Sequence, residues 1–368
     1  MRIATARVLL AAVALAVITV APIASACTGI TLKAKDGSVL FGRTMEWGSF
    51  DLHSRLIVIP RGHKFTSLLT GDRPGFSWTG QYGLAGIDGA NKDLVLDGMN
   101  EKGLQVGLFY HPGTAEYQKF DPAQADKSMA PTDVGTYLLT TCESIDQARA
   151  ALAKIRVVPV VESAIGIVPG VHFIVTDPSG KSIVIEYLNG EPRIFDAPLG
   201  VITNSPSYDW HETNLRNYIN LSSVGLPDKK IEDLDFKPMG GGSGMIGLPG
   251  DFTPPSRFVR AVAFSASARP TPDGPETVYE MFRILDNFNV PLGAAEAGGA
   301  AKMQGMRSST LWTVCYDTKA RKLYYHTMNN RRVREVDLSK IDFAGGGITH
   351  QPLDKSKSQD IEDVTPAK

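Results

Sequence analysis

The sequence predicts an α+β fold with layered antiparallel sheets, and two observations carry that prediction. Short β-like runs recur along the chain and are joined by tight turns such as Asp36-Gly37 and Asp177-Pro178-Ser179-Gly180, so neighbouring runs read as hairpins. Helical periodicity is concentrated in two blocks, and hairpins interrupted by helical blocks favour sheets stacked in layers. No internal repeat or strong linker interrupts the chain after residue 27. Residues 27–350 therefore read as one domain, followed by a polar tail over 351–368 that is expected to be mobile.

In chain order, Cys27 to Leu32 and Ser38 to Met45 form the first predicted hairpin. Leu56 to Pro60 and Ser77 to Tyr82 are further strands, the second carrying Trp78. Leu94 to Asn100 leads through a tight Asn-Glu-Lys-Gly turn into Gln105 to Tyr110. Thr132 to Leu152 is the clearest helix, with apolar residues at three- and four-residue steps. Ser144 to Leu152 is alternatively a second helix, with Ser144 as its cap and Gln147 in the capping-box position. Val171 to Thr176, Ser182 to Tyr187 and Gly200 to Asn204 are strands, and Met239 to Asp251 is a glycine-rich irregular loop. Arg257 to Ala268 and Glu276 to Leu285 are helices, and Leu311 to Tyr316 with Lys322 to Thr327 closes the series as a late hairpin.

The N-terminus has the order of a secretory signal. Arg2 and Arg7 precede an apolar run from Val8 to Val20, and Ala24-Ser25-Ala26 supplies the small residues of a cleavage site. Cleavage there makes Cys27 the first residue of an exported, periplasmic or secreted protein. A lipoprotein signal is the rival reading, but it prefers Leu where this chain has Ala24. Cleavage places a thiol, with a reference pKa of about 8.5, and an α-amine, at about 7.7–8.0, on one residue. Nucleophile and base then coincide. The predicted hairpin returns Arg43 and Glu46 to Cys27, where a guanidinium favours the thiolate and a carboxylate can hold the terminal ammonium.

Composition narrows the alternatives. A net charge of −1 offers no basis for nucleic-acid binding, and nothing after the signal is long and apolar enough to span a bilayer. Cys27, Cys142 and Cys315 are an odd set, so a disulfide framework does not hold the domain together, although a Cys142–Cys315 bridge stays open. No histidine or cysteine cluster has metal-ligand spacing, and neither a metal nor a cofactor is predicted.

Several phrases together resemble the choloylglycine hydrolase family, which includes penicillin V acylases and bile salt hydrolases. They are Cys27-Thr28-Gly29, Phe41-Gly42-Arg43-Thr44-Met45, Asp97-Gly98-Met99-Asn100-Glu101-Lys102-Gly103-Leu104, Thr203-Asn204-Ser205-Pro206 with Trp210-His211, and Gly247-Leu248-Pro249-Gly250-Asp251-Phe252-Thr253-Pro254 with Ser256-Arg257-Phe258. The resemblance implies an N-terminal-nucleophile hydrolase with a four-layer αββα sandwich. It also implies Cys27 as nucleophile through a thioester, Arg43 and Arg257 beside it, and Asn204 as an oxyanion donor. Tyr110 falls where a backbone N–H completes the oxyanion hole. Glu46 stands where most members carry Asp, one methylene shorter.

Trp47 and Trp78 are candidates for an apolar acyl pocket, Trp78 being equally readable as core. Trp47 beside Glu46 resembles the Gram-negative, penicillin V acylase-like branch, which is associated with deacylation of N-acyl homoserine lactones. The implied substrate is a small N-acyl amide with an apolar acyl group. Bile salt hydrolysis and a lipid-anchored non-catalytic binding protein are the alternatives. The family's frequent homotetramers imply a homo-oligomer. His111, His172 and His211 read as structural or surface residues, because the terminal amine serves as base.

Overall fold

Thr28–Lys33 and Val39–Glu46 pair antiparallel, Thr28 opposite Thr44, and so form the predicted first hairpin. The computed structural model describes residues 26–48, 50–295 and 306–367. Apart from Ala26, the expected signal segment lies outside the described residues.

The hairpin belongs to a five-stranded sheet that continues through Thr310–Asp317, Lys322–Thr327 and Arg334–Asp337. Facing it is an eight-stranded sheet, which runs Glu191–Asp196, Ser182–Leu188, Val171–Thr176, Gln105–Tyr110, Leu94–Asn100, Leu84–Gly89, Arg55–Ile59 and Thr349–Pro352. Each neighbouring pair in both sheets is antiparallel.

Alternation along Val39–Glu46 explains how the layers close, since successive Cβ atoms point to opposite faces. Arg43 points inward and reaches the Leu108 carbonyl of the facing sheet at 2.6 Å. Gly42 points outward, where a Cβ would lie 2.5 Å from the Met281 sulfur. Helix Gly274–Leu285 therefore rests directly on the backbone, beside helix Pro254–Ser267. Between the sheets, a Cβ on Gly29 would meet Phe109, Ile202 and Phe41 within 2.9 Å. Helix Val134–Thr141 covers the other side of the eight-stranded sheet, and helix Ile145–Leu152 packs against it. The four-layer αββα sandwich is the observed architecture.

Some boundaries differ from expectation. Thr132 to Leu152 is two helices, interrupted at Cys142-Glu143; Ser144 caps the second by accepting from the Gln147 N–H at 3.3 Å. Gly200 to Asn204 is no strand: only Ile202 bridges to Gly29, because the following carbonyls turn inward to side-chain partners. The strand expected at Ser77 to Tyr82 is Arg73–Thr79, paired with Lys64–Leu69 in a separate hairpin.

The tail does not begin at 351. Thr349–Pro352 is an edge strand, Leu353 is buried, and Asp354 pairs with Arg334 at 3.0 Å. Lys229–Ile231 and Leu234–Phe236 form a small hairpin within the segment between the helices, and Ile231, Leu234 and Phe236 are exposed on it. Cys27, Cys142 and Cys315 are all free thiols, which leaves the Cys142–Cys315 bridge unformed. Among the described residues, no helix is long and apolar enough to cross a membrane.

Candidate active site

Cys27 lies just before the first strand, 2% exposed. Its sulfur is 3.9 Å from Met45 Sδ and 3.8 Å from the Glu46 carbonyl oxygen, which places it on the inner face of the five-stranded sheet. Arg43 shares that face, fully buried, and its guanidinium lies 3.7 Å from the same Met45 sulfur. Met45 thus stands between the cysteine and the arginine, an arrangement that sequence reasoning missed. Arg43 also pairs with buried Asp97 at 3.3 Å and packs over the Phe109 ring at 3.9 Å. Burial raises the Asp97 carboxyl to about 6, against the pull of Arg43. Asp97 was legible only as part of a motif phrase, since its partner lies 54 residues earlier.

Glu46 occupies the opposite face, as alternation from Met45 requires. Its carboxylate accepts from Thr310 Oγ1 at 2.7 Å and Thr44 Oγ1 at 3.0 Å. Thr44 Oγ1 in turn accepts the Thr28 N–H at 3.3 Å. Burial raises Glu46 to about 7, opposed by these hydroxyls and by the charge of Arg257. The carboxylate therefore approaches the main chain at the start of the strand, while the thiol projects from the other side.

Arg257, on the helix that covers this outer face, is the hub. It donates to the Cys27 carbonyl, to Thr28 Oγ1 at 2.9 Å and to Asn204 Oδ1 at 2.7 Å. Burial lowers its guanidinium to about 10, while Glu46 and Cys27 act in the opposite direction. Asn204 donates its amide nitrogen to the Tyr110 carbonyl at 2.7 Å. Cys27, Arg43, Glu46, Asn204, Arg257 and Tyr110 are thus brought into one connected region.

A cleft opens onto Cys27. Trp47, Phe50, Leu96, Leu108 and Tyr110 contribute to its mainly apolar wall. The Trp47 ring packs edge-on against Tyr110 at 5.7 Å, and its indole Nε1–H is buried without a partner among the described residues. Trp78 does not line this cleft. It stacks on Phe65 at 4.8 Å and donates to Thr140 Oγ1 at 3.0 Å, so it belongs to the packing beneath the first helix.

His111, His172 and Glu186 come together behind the Asn204 loop, with ligand-capable atoms within 4.8 Å of one another. The two rings are stacked 4.1 Å apart and 3° from parallel. In-plane lone pairs on parallel rings do not converge on one ion, so this cluster is a poor metal site.

Comparison with known proteins places the chain among amide hydrolases of one family. The model of a family described as linear amide C–N hydrolases, choloylglycine hydrolase family, matches residues 27–357. A bile salt hydrolase/transferase of Clostridium perfringens is 32% identical over 90% of this chain and 98% of its own length. A penicillin V acylase of Pectobacterium atrosepticum is 25% identical over 86% of this chain and 81% of its own. Among solved structures, a mutant of the conjugated bile acid hydrolase from Clostridium perfringens superposes with a TM-score of 0.78, at 29% identity, covering 92% of this chain and all of that one.

Proposed function

We propose that this chain, which belongs to the choloylglycine hydrolase family of linear amide C–N hydrolases, cleaves N-acyl amides with an apolar acyl group, using Cys27 as an N-terminal nucleophile. The observation that carries this reading is the apolar cleft lined by Cys27, with Arg257 joining the Cys27 carbonyl to the Asn204 side chain.

In the proposed reaction, cleavage of the Ala26–Cys27 bond frees the α-amine. The Cys27 sulfur attacks the amide carbonyl, and the amine passes the thiol proton to the leaving nitrogen. The Cys27 thioester is then hydrolysed by water. The Asn204 amide and the Tyr110 backbone N–H stabilise the tetrahedral oxyanion, and such donors contribute about 2.7–4 kcal/mol each. Glu46 holds the ammonium from the outer face. Arg43 supplies positive charge on the sulfur's own face, with Asp97 offsetting part of it.

The acyl group is proposed to be phenoxyacetyl or a fatty-acyl chain, as in penicillin V or N-acyl homoserine lactones. The mainly hydrophobic wall suits both. Trp47 adds a buried indole donor that an acyl-chain oxygen can satisfy. Bile salt hydrolysis is the second reading, favoured by 32% identity to a bile salt hydrolase/transferase against 25% to a penicillin V acylase. An exported location and a homo-oligomer complete the proposal. The exposed Ile231, Leu234 and Phe236 on the small hairpin offer a contact surface for a second copy.

The test is side-by-side turnover of penicillin V, a long-chain acyl homoserine lactone and glycocholate, together with the N-terminal sequence of the purified protein. Turnover of either of the first two by a chain beginning at Cys27 supports the reading. A retained or blocked N-terminus in an active enzyme contradicts the role of the amine, and exclusive turnover of glycocholate replaces the first substrate reading with the second.

A further inference from the structure

We infer that His111, His172 and His211 are positioning residues for the oxyanion loop: their Nε2–H groups hold three main-chain carbonyls of the segment that carries Asn204. The inference rests on the amide-hydrolase reading for the role of Asn204, while the cradle itself rests on geometry.

His172 Nε2 is 3.1 Å from the Thr203 carbonyl oxygen, His211 Nε2 is 2.9 Å from that of Asn204, and His111 Nε2 is 3.3 Å from that of Pro206. A carbonyl oxygen only accepts, so each of these nitrogens must carry the hydrogen. All three rings share one tautomer on that argument. The histidines come from separated parts of the fold. His172 lies within a central strand, His111 directly follows the adjacent strand, and His211 belongs to helix Tyr208–Asn214. Carbonyls 203, 204 and 206 are thus gripped from several elements of the scaffold.

The grip is itself anchored. His172 Nδ1 faces Glu186 Oε1 at 3.1 Å, and both Glu186 oxygens accept the Tyr208 N–H at the start of the short helix. With the His172 Nε2 hydrogen committed to Thr203, the Nδ1–Oε1 contact requires one more proton held between the ring and the carboxyl. Burial disfavours charge on both groups, raising the Glu186 carboxyl and lowering His172 to about 3. The His111 ring stacks on His172, and the His211 ring stacks on Phe258 at 4.7 Å. Phe258 directly follows Arg257, whose guanidinium holds Asn204 Oδ1. Backbone and side chain of Asn204 are therefore held by His211 and Arg257, which meet through Phe258.

Gripping the backbone carbonyls fixes where the Asn204 side-chain amide stands, and misplacement of a catalytic group by about 1 Å can cost on the order of a hundredfold in rate. The experiment compares His211→Gln, whose amide nitrogen can replace Nε2, with His211→Phe, which keeps a planar ring against Phe258 but has no donor. On a substrate turned over by the wild type, His211→Phe is expected to lose about tenfold or more in kcat with KM changed less than about twofold, and His211→Gln to recover most of that loss. Equal losses in the two variants, or an unchanged kcat in His211→Phe, overturns the positioning role. Should His211→Phe fail to fold, His172→Gln and His172→Phe provide the same comparison.

Long-range 1H–15N spectra of the wild-type imidazoles test the cradle without any turnover. Neutral rings protonated at Nε2 support it, and an Nδ1–H tautomer at any of the three overturns it. A wild type with these spectra but no turnover of the substrate panel would count against the hydrolase reading and leave the cradle intact.

Discussion

Glu46 is raised from 4.5 to about 7 because it is buried on the outer face of the five-stranded sheet while Cys27 is still joined to Ala26 through an amide. In the unfolded chain the carboxyl ionises near its ordinary value, whereas the folded chain retains the proton until about pH 7. Below the lower value both states are protonated and the stabilising contribution is fully present. As pH rises through the window the unfolded state loses its proton first, so stability is lost progressively up to about pH 7. At about 1.4 kcal/mol per pH unit the window corresponds to about 3 kcal/mol.

Urea unfolding between pH 4 and pH 8 can measure this in wild type and Glu46→Gln with the Ala26–Cys27 bond intact. The wild-type stability, minus that of the variant, is expected to fall by about 3 kcal/mol across the window. Other buried carboxyls such as Asp97 are present in both proteins, so the subtraction removes them. A flat difference refutes the assignment. In a chain beginning at Cys27, the new ammonium favours the charged carboxylate, and the same difference should shrink. An undiminished difference there would show that Glu46 does not reach the amine.

Cys27→Ala should abolish turnover and Cys27→Ser nearly so, measured by product release from penicillin V; a serine variant at wild-type rate would contradict thiolate chemistry. Trp47→Phe keeps most of the apolar wall but removes the buried indole N–H. An unmatched buried donor costs about 1–3 kcal/mol, so the wild-type preference for phenoxyacetyl over phenylacetyl amides, read as a ratio of kcat/KM, should fall about tenfold in the variant. An unchanged ratio would place that donor away from the acyl oxygen. Gly42→Leu should destabilise by about 1–3 kcal/mol or more in denaturant unfolding, because even a Cβ there would lie 2.5 Å from the Met281 sulfur of the covering helix. Unchanged stability would mean that the helix can lift from the sheet at little cost.

Much of the fold was legible because local rules were sufficient for it. The Asp36-Gly37 turn set the first hairpin, and Ser144 followed by Gln147 marked a helix start inside a block whose apolar periodicity alone reads as continuous. Gly200 to Asn204 reads as a strand because its residues suit one, yet its carbonyls are claimed by histidines on other elements, and no local pattern reports that competition. The tail departs from its expected boundary for a similar reason. Its polar composition suits solvent, but pairing with Arg55–Ile59 needs only backbone groups.

The site divides along the same line. Cys27, Arg43 and Glu46 could be placed near one another because one hairpin joins them, but hairpin spacing says little about what lies between them. Strand alternation supplies the missing step. From Arg43 to Glu46 the side chains change face at every residue, so Arg43 and Met45 share the thiol's side while Thr44 and Glu46 face Arg257's side. Substituting Asp for Glu shortens the carboxylate on the outer face and leaves the thiol's immediate packing unchanged. Glu46→Asp should therefore alter the pH dependence assigned to the amine, read from kcat/KM profiles, more than the binding of acyl chains in the inner cleft. A large rise in KM with an unaltered profile would mean that the two faces are not separated in this way, and the carboxylate would have to be reassigned to the substrate side.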